Sequence, residues 1–217
     1  GTESGADGLV CGYTEKETPQ TAAADTLLMA VGRRPVTEGL FGEGFSVALE
    51  RGHIVVDAQY RTSVPNIYAI GDVNGGIQLA HAAAAQGRNA VAAIAGKTPD
   101  TAAGLIPSCI YLEPELASVG LTLDEAKAQG RAVLSRKYSM GANGKTVLAG
   151  AERGYLRVVA DEKTHVVLGA QLMCERASDI VSEFTAAIAA RQTLGELAAI
   201  VRPHPTFSEA VTEVTRL

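Results

Sequence analysis

The chain has 217 residues, of which 47% are hydrophobic and 20% charged, as in an ordinary globular protein. Its net charge of -5 and the absence of any run of Lys or Arg give no electrostatic reason to expect a nucleic acid or an anionic membrane as partner. No apolar segment reaches the roughly 18 residues that a membrane-spanning helix needs, and no basic segment followed by an apolar core opens the chain. These features predict a cytoplasmic protein.

The cysteines Cys11, Cys109 and Cys174 lie far apart and form neither CxxC nor CxxxxC. Their spacing therefore predicts neither a metal site nor a local redox pair, and it favours a reducing compartment. The opening segment Gly1–Gly5 has no initiator Met, which predicts that an upstream region of a longer protein is missing.

Residues 1–34 begin with a polar, glycine-rich segment and continue into the apolar run Ala24–Val31. This run predicts a buried strand that Gly32 and Pro35 end. Because one strand cannot form a domain, we interpret residues 1–34 as the remnant of a larger one.

Residues 35–104 have the pattern of an α/β fragment. Short apolar runs predict strands at 54–57 and 66–70. An Ala-rich run from about 79 to 95, closed by Gly96, predicts a helix.

Residues 105–217 show an α+β pattern and are predicted to form one self-sufficient domain with an antiparallel sheet. Strands are predicted at 108–111, 132–138, 145–149, 155–160 and 166–172. The turn 161–164 joins the last two as a hairpin, whereas 141–144 is interpreted as another hairpin-like turn without phosphate-loop spacing.

Helices in this region are marked by their first residues. Capping boxes are predicted at Thr122 with Glu125, Thr193 with Glu196 and Thr206 with Glu209, and Gly130 is predicted to end the first helix. A helix from about 178 to 191 places Ile180, Phe184, Ala187 and Ile188 on one face, which predicts packing across the sheet.

A carboxylate, Asp72, follows Gly71 at the end of the predicted strand 66–70. Open α/β sheets bind ligands at such ends, where glycine lets the backbone approach and a carboxylate accepts hydrogen bonds from sugar hydroxyls. The helix that opens near Ala80 would present its positive end to a phosphate or a ring edge. Spacing alone leaves this nucleotide site open against a simple turn.

His204 stands between Pro203 and Pro205, with Glu209 five residues further on. The prolines restrict the backbone, so the imidazole is held in one direction. A carboxylate bound to one ring nitrogen sets the tautomer and makes the other nitrogen a general base. The residues alone leave this hypothesis open against a capped turn, because Glu209 also completes the box with Thr206.

The segment 62–72, TSVPNIYAIGD, resembles the second FAD-binding signature of the pyridine nucleotide-disulphide oxidoreductases. The resemblance implies that Asp72 contacts the ribityl and pyrophosphate region of FAD, with Gly71 beside it. The Leu-Ala-His segment that follows in the family reaches the isoalloxazine edge, which implies Leu79, Ala80 and His81 here. For His81 a hydrogen-bonded structural role remains open as well.

The segment 32–35, GRRP, resembles the return of the family's chain from its NAD domain to its FAD domain, which places Gly32 near bound NAD. The segment 111–122 resembles the start of the family's interface domain, and we assign it no catalysis. The implied domains are a remnant of the NAD-binding domain at 1–34, part of the FAD-binding domain at 35–104, and a dimerisation domain at 105–217.

The segment 203–209, PHPTFSE, resembles the His-Pro-Thr-x-Ser-Glu signature of that interface domain. The resemblance implies that His204 is the acid/base, that Glu209 orients it, and that the pair serves the active site of the partner subunit in a homodimer. Phe207 and the Ala210–Val211 continuation resemble the dihydrolipoamide dehydrogenase branch, and a glutathione reductase-like enzyme is the alternative.

In that branch, FAD and NAD accept the electrons of a lipoyl dithiol that first exchanges with a redox-active CxxxxC. This sequence contains neither the CxxxxC nor either GxGxxG fingerprint. Two hypotheses follow: the chain is the C-terminal part of an oxidoreductase, inactive by itself, or it behaves in isolation as a dimerisation module that retains no flavin.

Overall fold

The computed structural model describes residues 2–5, 8–99, 102–151 and 154–216. The chain divides into two compact units, residues 1–35 and 36–217. No helix in these described ranges is long and apolar enough to cross a bilayer.

The first unit contains an antiparallel sheet of three strands in chain order: β1 (Thr2–Gly5), β2 (Gly8–Glu15) and β3 (Thr18–Ala24). The predicted buried strand at 24–31 is wrong, because β3 ends at Ala24 and the residues after it are extended without strand pairing. Leu28 is 85% exposed and Val31 is 86% exposed. An apolar run becomes a buried strand only where a sheet accepts it, and no described strand pairs with this one.

The second unit begins with a hairpin of β4 (Leu49–Glu50) and β5 (His53–Ile54), followed by a 3-10 helix (Gly71–Asn74) and by α1 (Ala80–Ile94). The helix predicted at 79–95 is confirmed, and Gly96 follows it at a φ of 65°.

The strands predicted at 54–57 and 66–70 are largely wrong. Only Ile54 of the first lies in a strand, whereas the second begins in a turn at Asn66, at a φ of 65°, and has a single isolated bridge between Tyr68 and Arg61. Their backbone groups bond to nearby turns, for example from Asp57 N to Arg61 O, so these segments form no parallel sheet.

The larger sheet has the order β6-β7-β10-β9-β8, and all its pairs are antiparallel. Its strands are β6 (Ser108–Ile110), β7 (Glu115–Gly120), β8 (Val133–Ser139), β9 (Tyr155–Asp161) and β10 (Val167–Cys174). Four of the five strands predicted in this region are confirmed, as is the hairpin turn between β9 and β10. The strand β7 was not predicted.

The fifth predicted strand, 145–149, is wrong, because this segment forms helix α3 (Gly144–Ala149). Asn143 accepts a hydrogen bond from Thr146 N as its N-cap, and Gly150 ends it in the left-handed conformation. The hairpin-like turn expected at 141–144 is wrong as well, since a 3-10 helix (Met140–Ala142) leads directly into α3.

The remaining helices are α2 (Leu123–Ala128), α4 (Ala177–Ala189), α5 (Leu194–Ala198) and α6 (Glu209–Arg216). The predicted capping boxes of α2 and α5 are confirmed with both of their hydrogen bonds. The predicted helix at 178–191 is α4, which packs against β7 and β10 and buries Ile180, Phe184 and Ala187. The main core lies between this sheet and its helices.

β7 and β10 are antiparallel neighbours, and their backbones approach closely at two glycines. The register of β10 against β9 shifts between Val167 and Gly169. A Cβ on Gly169 would overlap the carbonyl of Leu121, the residue that follows β7. Gly120, at a φ of 68°, would overlap Leu168 O in the same way. Only glycine fits at these two positions.

Candidate functional site

The segment between α5 and α6 brings His204 and Glu209 together. Their side chains are joined by a 2.9 Å hydrogen bond between Nδ1 of the histidine and Oε1 of the glutamate. Because an ionised carboxylate only accepts, Nδ1 carries the proton and Nε2 keeps a free lone pair. The side chain of His204 is 77% exposed, so this lone pair is open to a reactant.

The second carboxylate oxygen of Glu209 accepts a 2.8 Å hydrogen bond from Thr206 N. This bond, followed by the hydrogen bond from His204, holds the pKa of Glu209 below its usual value. The carboxylate half of the predicted third capping box is therefore present, whereas the hydroxyl of Thr206 donates to Pro203 O at 2.7 Å. Both oxygens of Glu209 are engaged, which fixes its orientation toward the imidazole.

The neighbouring loop is held from the side of the sheet by Asn143. This side chain is buried, and its Nδ2 donates to Thr206 O at 3.1 Å while its Oδ1 caps α3. The sequence analysis missed Asn143, although an asparagine three residues before Thr146 is an N-cap pattern. Its contact with Thr206, 63 residues away, has no local signal.

A groove of about 360 Å³ opens beside the imidazole. It is lined by Tyr138, Ala142, Asn143, Gly144, His204, Glu209 and Glu213. Burial raises the pKa of the Tyr138 hydroxyl, and the charges of Glu213 and Glu209 raise it further, so this phenol stays protonated at neutral pH. The groove thus offers a base at His204 and a neutral hydroxyl at Tyr138, and its lining among the described residues contains no Lys or Arg.

The predicted nucleotide segment lies at the 3-10 helix and the start of α1. Gly71 is buried at a φ of 76°, and its N–H donates to Gln86 Oε1 at 2.8 Å. A Cβ at Gly71 would lie 3.2 Å from the Cβ of Ala83, so the backbone here packs closely on α1. Asp72 is half-buried in the first turn of the 3-10 helix.

The first turn of α1 is available to a ligand. Leu79 is extended at its N-cap and supplies no side-chain hydrogen bond, and Ala80 is exposed as the first helical residue. The N–H groups of such a turn and the positive end of the helix favour a negatively charged or electron-rich group.

The side chain of His81 is hydrogen-bonded to the segment that follows α1, at Pro107. Its Nε2 donates to Pro107 O at 2.7 Å, since a carbonyl only accepts. This is the structural bond that the sequence analysis weighed against a flavin contact. Gly32 lies in the other unit, exposed at a φ of 111°.

The cysteines are free thiols, and Cys174 is buried, which raises its pKa to about 12. No group of three His, Cys, Asp or Glu side chains within residues 2–5, 8–99, 102–151 and 154–216 is placed to hold a metal ion.

Comparison with known proteins shows the family of this chain. Residues 106–215 match the dimerisation domain of the pyridine nucleotide-disulphide oxidoreductases, and residues 3–87 match the pyridine nucleotide-disulphide oxidoreductase model itself. The chain is 37% identical over its whole length to a dihydrolipoyl dehydrogenase of Bacillus subtilis, of which it covers 46%. It is 42% identical over 200 residues to that of Chlorobaculum tepidum, with 92% of this chain and 43% of the relative covered.

Two solved structures share the fold with a TM-score of 0.89. One is the HOCl-induced flavoprotein disulfide reductase RclA from Escherichia coli, at 26% identity, with 100% of this chain and 49% of that chain covered. The other is LpdA from Mycobacterium tuberculosis, at 27% identity, with 99% and 47% covered. The chain spans about half the length of these relatives. It belongs to the pyridine nucleotide-disulphide oxidoreductase family, and residues 106–215 are the dimerisation domain of that family.

Proposed function

We propose that this chain is the C-terminal part of a flavoprotein disulfide reductase that oxidises dihydrolipoyl groups with NAD+. The observation that carries the proposal is the 2.9 Å bond between His204 Nδ1 and Glu209 Oε1, which leaves Nε2 free as a base. The similarity to dihydrolipoyl dehydrogenases of Bacillus subtilis and Chlorobaculum tepidum supports the choice of substrate class.

His204 acts on a thiol proton. Its Nε2 accepts the proton of one substrate thiol, and the resulting thiolate attacks a disulfide sulfur, forming a mixed disulfide and releasing the other sulfur as thiolate. The imidazolium that forms is stabilised by Glu209, whose carboxylate stays ionised because Thr206 N–H and His204 bond to it. The cysteine pair that is attacked lies outside this sequence, which contains no CxxxxC.

The residues near α1 fit the FAD that the family implies. Glycine at position 71 lets the backbone pack closely on α1, and the carboxylate of Asp72 can accept hydrogen bonds from hydroxyl groups. Leu79 is the N-cap of α1 and Ala80 its first residue, and no side-chain hydrogen bond caps this helix. When bound, FAD would carry electrons from the dithiol to NAD. His81 supports this segment through Pro107, and Gly32 would border the NAD site.

We assign the remaining features on the same basis. Residues 1–34 are a remnant of the NAD-binding domain, 35–104 part of the FAD-binding domain, and 105–217 the dimerisation domain. The protein acts as a homodimer in which His204 serves the partner's disulfide, since the base and the cysteine pair must meet. Its free cysteines fit a reducing cytoplasm.

The test is turnover of the full-length protein with NAD+ and dihydrolipoamide, comparing wild type with His204→Gln. We expect kcat to fall by a factor of roughly 100 to 10,000, the range that general acid/base catalysis contributes. FAD content and the monomer–dimer equilibrium should be unchanged. The matched control is His165→Gln in the β9–β10 turn, which should retain activity.

Unchanged kcat in His204→Gln would make the dyad structural and contradict the proposal. Faster reduction of glutathione disulfide than of lipoamide would instead support a glutathione reductase-like enzyme, the alternative that the same dyad serves equally well. This chain alone should show no turnover, and flavin absorbance of the purified chain decides whether it retains FAD or behaves as a dimerisation module.

A further inference from the structure

A guanidinium group is buried two residues before the catalytic histidine. The side chain of Arg202 is only 5% exposed, although both of its chain neighbours are exposed. A charge at this depth requires hydrogen-bonding partners, and Arg202 has an acceptor for every one of its five N–H bonds.

The acceptors lie on three helices and the loop between two of them. Nε and Nη2 donate to the carboxylate of Glu183 on α4, the former at 3.4 Å. Nη2 also donates to Leu197 O on α5 at 3.2 Å. Nη1 donates to Ile200 O at 3.0 Å and to the hydroxyl of Thr212 on α6. One planar group therefore joins α4, α5 and α6 at fixed angles.

Both members of the dyad are attached to this junction. His204 follows Arg202 by two residues, and Glu209 precedes Thr212 by three residues, less than one turn along α6. Without the guanidinium, α6 loses its hydrogen bond at Thr212, whereas its C-terminal end stays bound to Arg136 through Thr215 O at 2.7 Å. We therefore expect the first turn of α6 to move against the loop, which would shift Oε1 of Glu209 relative to Nδ1 of His204. Asn143 bonds to Thr206 O in the loop and reaches α6 only through the bond from Thr206 N to Glu209.

We propose that Arg202, anchored by Glu183, is a positioning residue that sets the distance and tautomer of the His204–Glu209 dyad. The inference rests on the proposed function of that dyad and adds a determinant of its geometry. The side chain of Arg202 is only 5% exposed, so its proposed role is to position the dyad and not to bind a reactant.

Lysine should not replace Arg202. An ammonium group carries the same charge but has three donors around one nitrogen, so it cannot reach Glu183, Leu197 and Thr212 from a planar fork. A buried ion pair is also a poor device for stability, because its desolvation cost offsets most of its attraction. A role in geometry accounts for the full set of bonds, and it makes Arg202→Lys an informative variant.

The geometry is tested by NMR in this chain, with labelled His and Glu, in Arg202→Lys and Glu183→Gln. We expect the neutral imidazole of His204 to lose its preference for the Nδ1–H tautomer. The pKa of Glu209 should rise toward the usual 4.5 as its bond to His204 weakens. The matched control Asp179→Asn removes an exposed charge one turn away on α4 and should change neither. Folded variants that keep both wild-type readouts would overturn the proposal.

A buried arginine without its partner can unfold the domain, so a double variant, Arg202→Met with Glu183→Met, is measured as well. It removes both charges together and fills the site with apolar side chains, a change that buried ion pairs commonly tolerate. Loss of the Nδ1–H tautomer in this folded protein supports the proposal, and its retention contradicts it.

Kinetics in the full-length protein separate this inference from the proposed function. We expect kcat of Arg202→Lys to fall up to about a hundredfold with little change in KM, as for a misplaced base. A fall in kcat with unaltered NMR readouts would overturn the role of Arg202 and leave His204 as the base. Altered readouts with unaltered kcat would confirm the junction and overturn catalysis by His204.

Discussion

At the scale of single residues, the carboxylate of Glu209 does two tasks at once. One oxygen accepts from Thr206 N at the start of α6, and the other orients the imidazole of His204. Because both bonds form to the ionised carboxylate, its ionisation is coupled to the stability of the loop as well as to the proposed role of His204.

This coupling predicts a specific dependence on pH. The pKa of Glu209 is lower in the folded protein than its usual 4.5, first through Thr206 N–H and then through His204, so its ionised form stabilises the fold above that pH. The contribution is lost as the pH falls through the folded pKa. We therefore expect the difference in unfolding free energy between wild type and Glu209→Gln to shrink as the pH falls from about 5 to about 3, measured by urea denaturation.

A comparison variant separates the two causes. Glu196 has its pKa lowered by Thr193 in the same kind of capping box, with no histidine involved. In a His204→Gln background the acid dependence contributed by Glu209 should decrease, and that of Glu196 should not. Equal behaviour of the two carboxylates in both backgrounds would show that His204 and Glu209 are uncoupled.

The dyad could be predicted from the sequence, but the residues that hold it could not. His204 and Glu209 lie within one short segment, where flanking prolines and a helix start constrain both side chains. Asn143 reaches this loop from 63 positions away. Arg202 meets Glu183 from 19 positions away. Residues that meet only through tertiary packing have no fixed separation in sequence, so a local sequence pattern cannot predict their contact.

At the scale of elements, helices α2, α3 and α5 each begin at a residue whose side chain caps the helix. The strand predicted at 145–149 rested on Val147 and its neighbours, but that residue is 66% exposed. The N-cap at Asn143 and the left-handed Gly150 determine a helix there instead. The missed strand β7 is a converse case, since Pro114 before it indicated a turn and its partner β10 lies some 50 residues later.

The capping box of α5 predicts a measurable contribution to stability. Thr193 accepts from Glu196 N, and Glu196 accepts from Thr193 N at 2.7 Å. Thr193→Ala should lower the unfolding free energy by about 1 kcal/mol, the usual value of such a cap. The matched control is Thr185→Ala within α4, whose hydroxyl only bonds back to Val181 O in its own helix. Equal effects of both changes in urea denaturation would contradict a role for the cap.

At the scale of the whole molecule, two adjacent apolar side chains are exposed close to the dyad. Val201 is 95% exposed and Ile200 42% exposed, immediately before the loop that carries His204. Adjacent exposed apolar side chains can contribute to a contact between protein chains. In a homodimer whose base serves the partner, this is where the second subunit would be expected.

We therefore expect this chain to sediment as a dimer at micromolar concentration, and Val201→Asp to shift it toward monomer. The matched control is Val36→Asp, a residue 77% exposed outside the dimerisation domain, which should leave the dimer intact. A monomeric wild-type chain would contradict the homodimer, and equal dissociation of both variants would show that Val201 is not at the contact.

The antiparallel sheet between residues 105 and 217 was the easiest part of the fold to predict, because four of its five strands carry their own pattern of apolar residues. Prediction failed in 24–31 and 54–70, where apolar runs pointed to strands of a larger sheet that the described residues do not contain.

The close approach of Gly169 in β10 to the carbonyl of Leu121, just after β7, limits how this sequence can evolve. With a carbonyl oxygen where a Cβ would stand, no substitution of Gly169 is acceptable, however small the new side chain. Neighbouring positions on the sheet can exchange one apolar side chain for another and repack. We therefore expect homologous sequences to vary at the apolar positions around Gly169 and to keep glycine at that position.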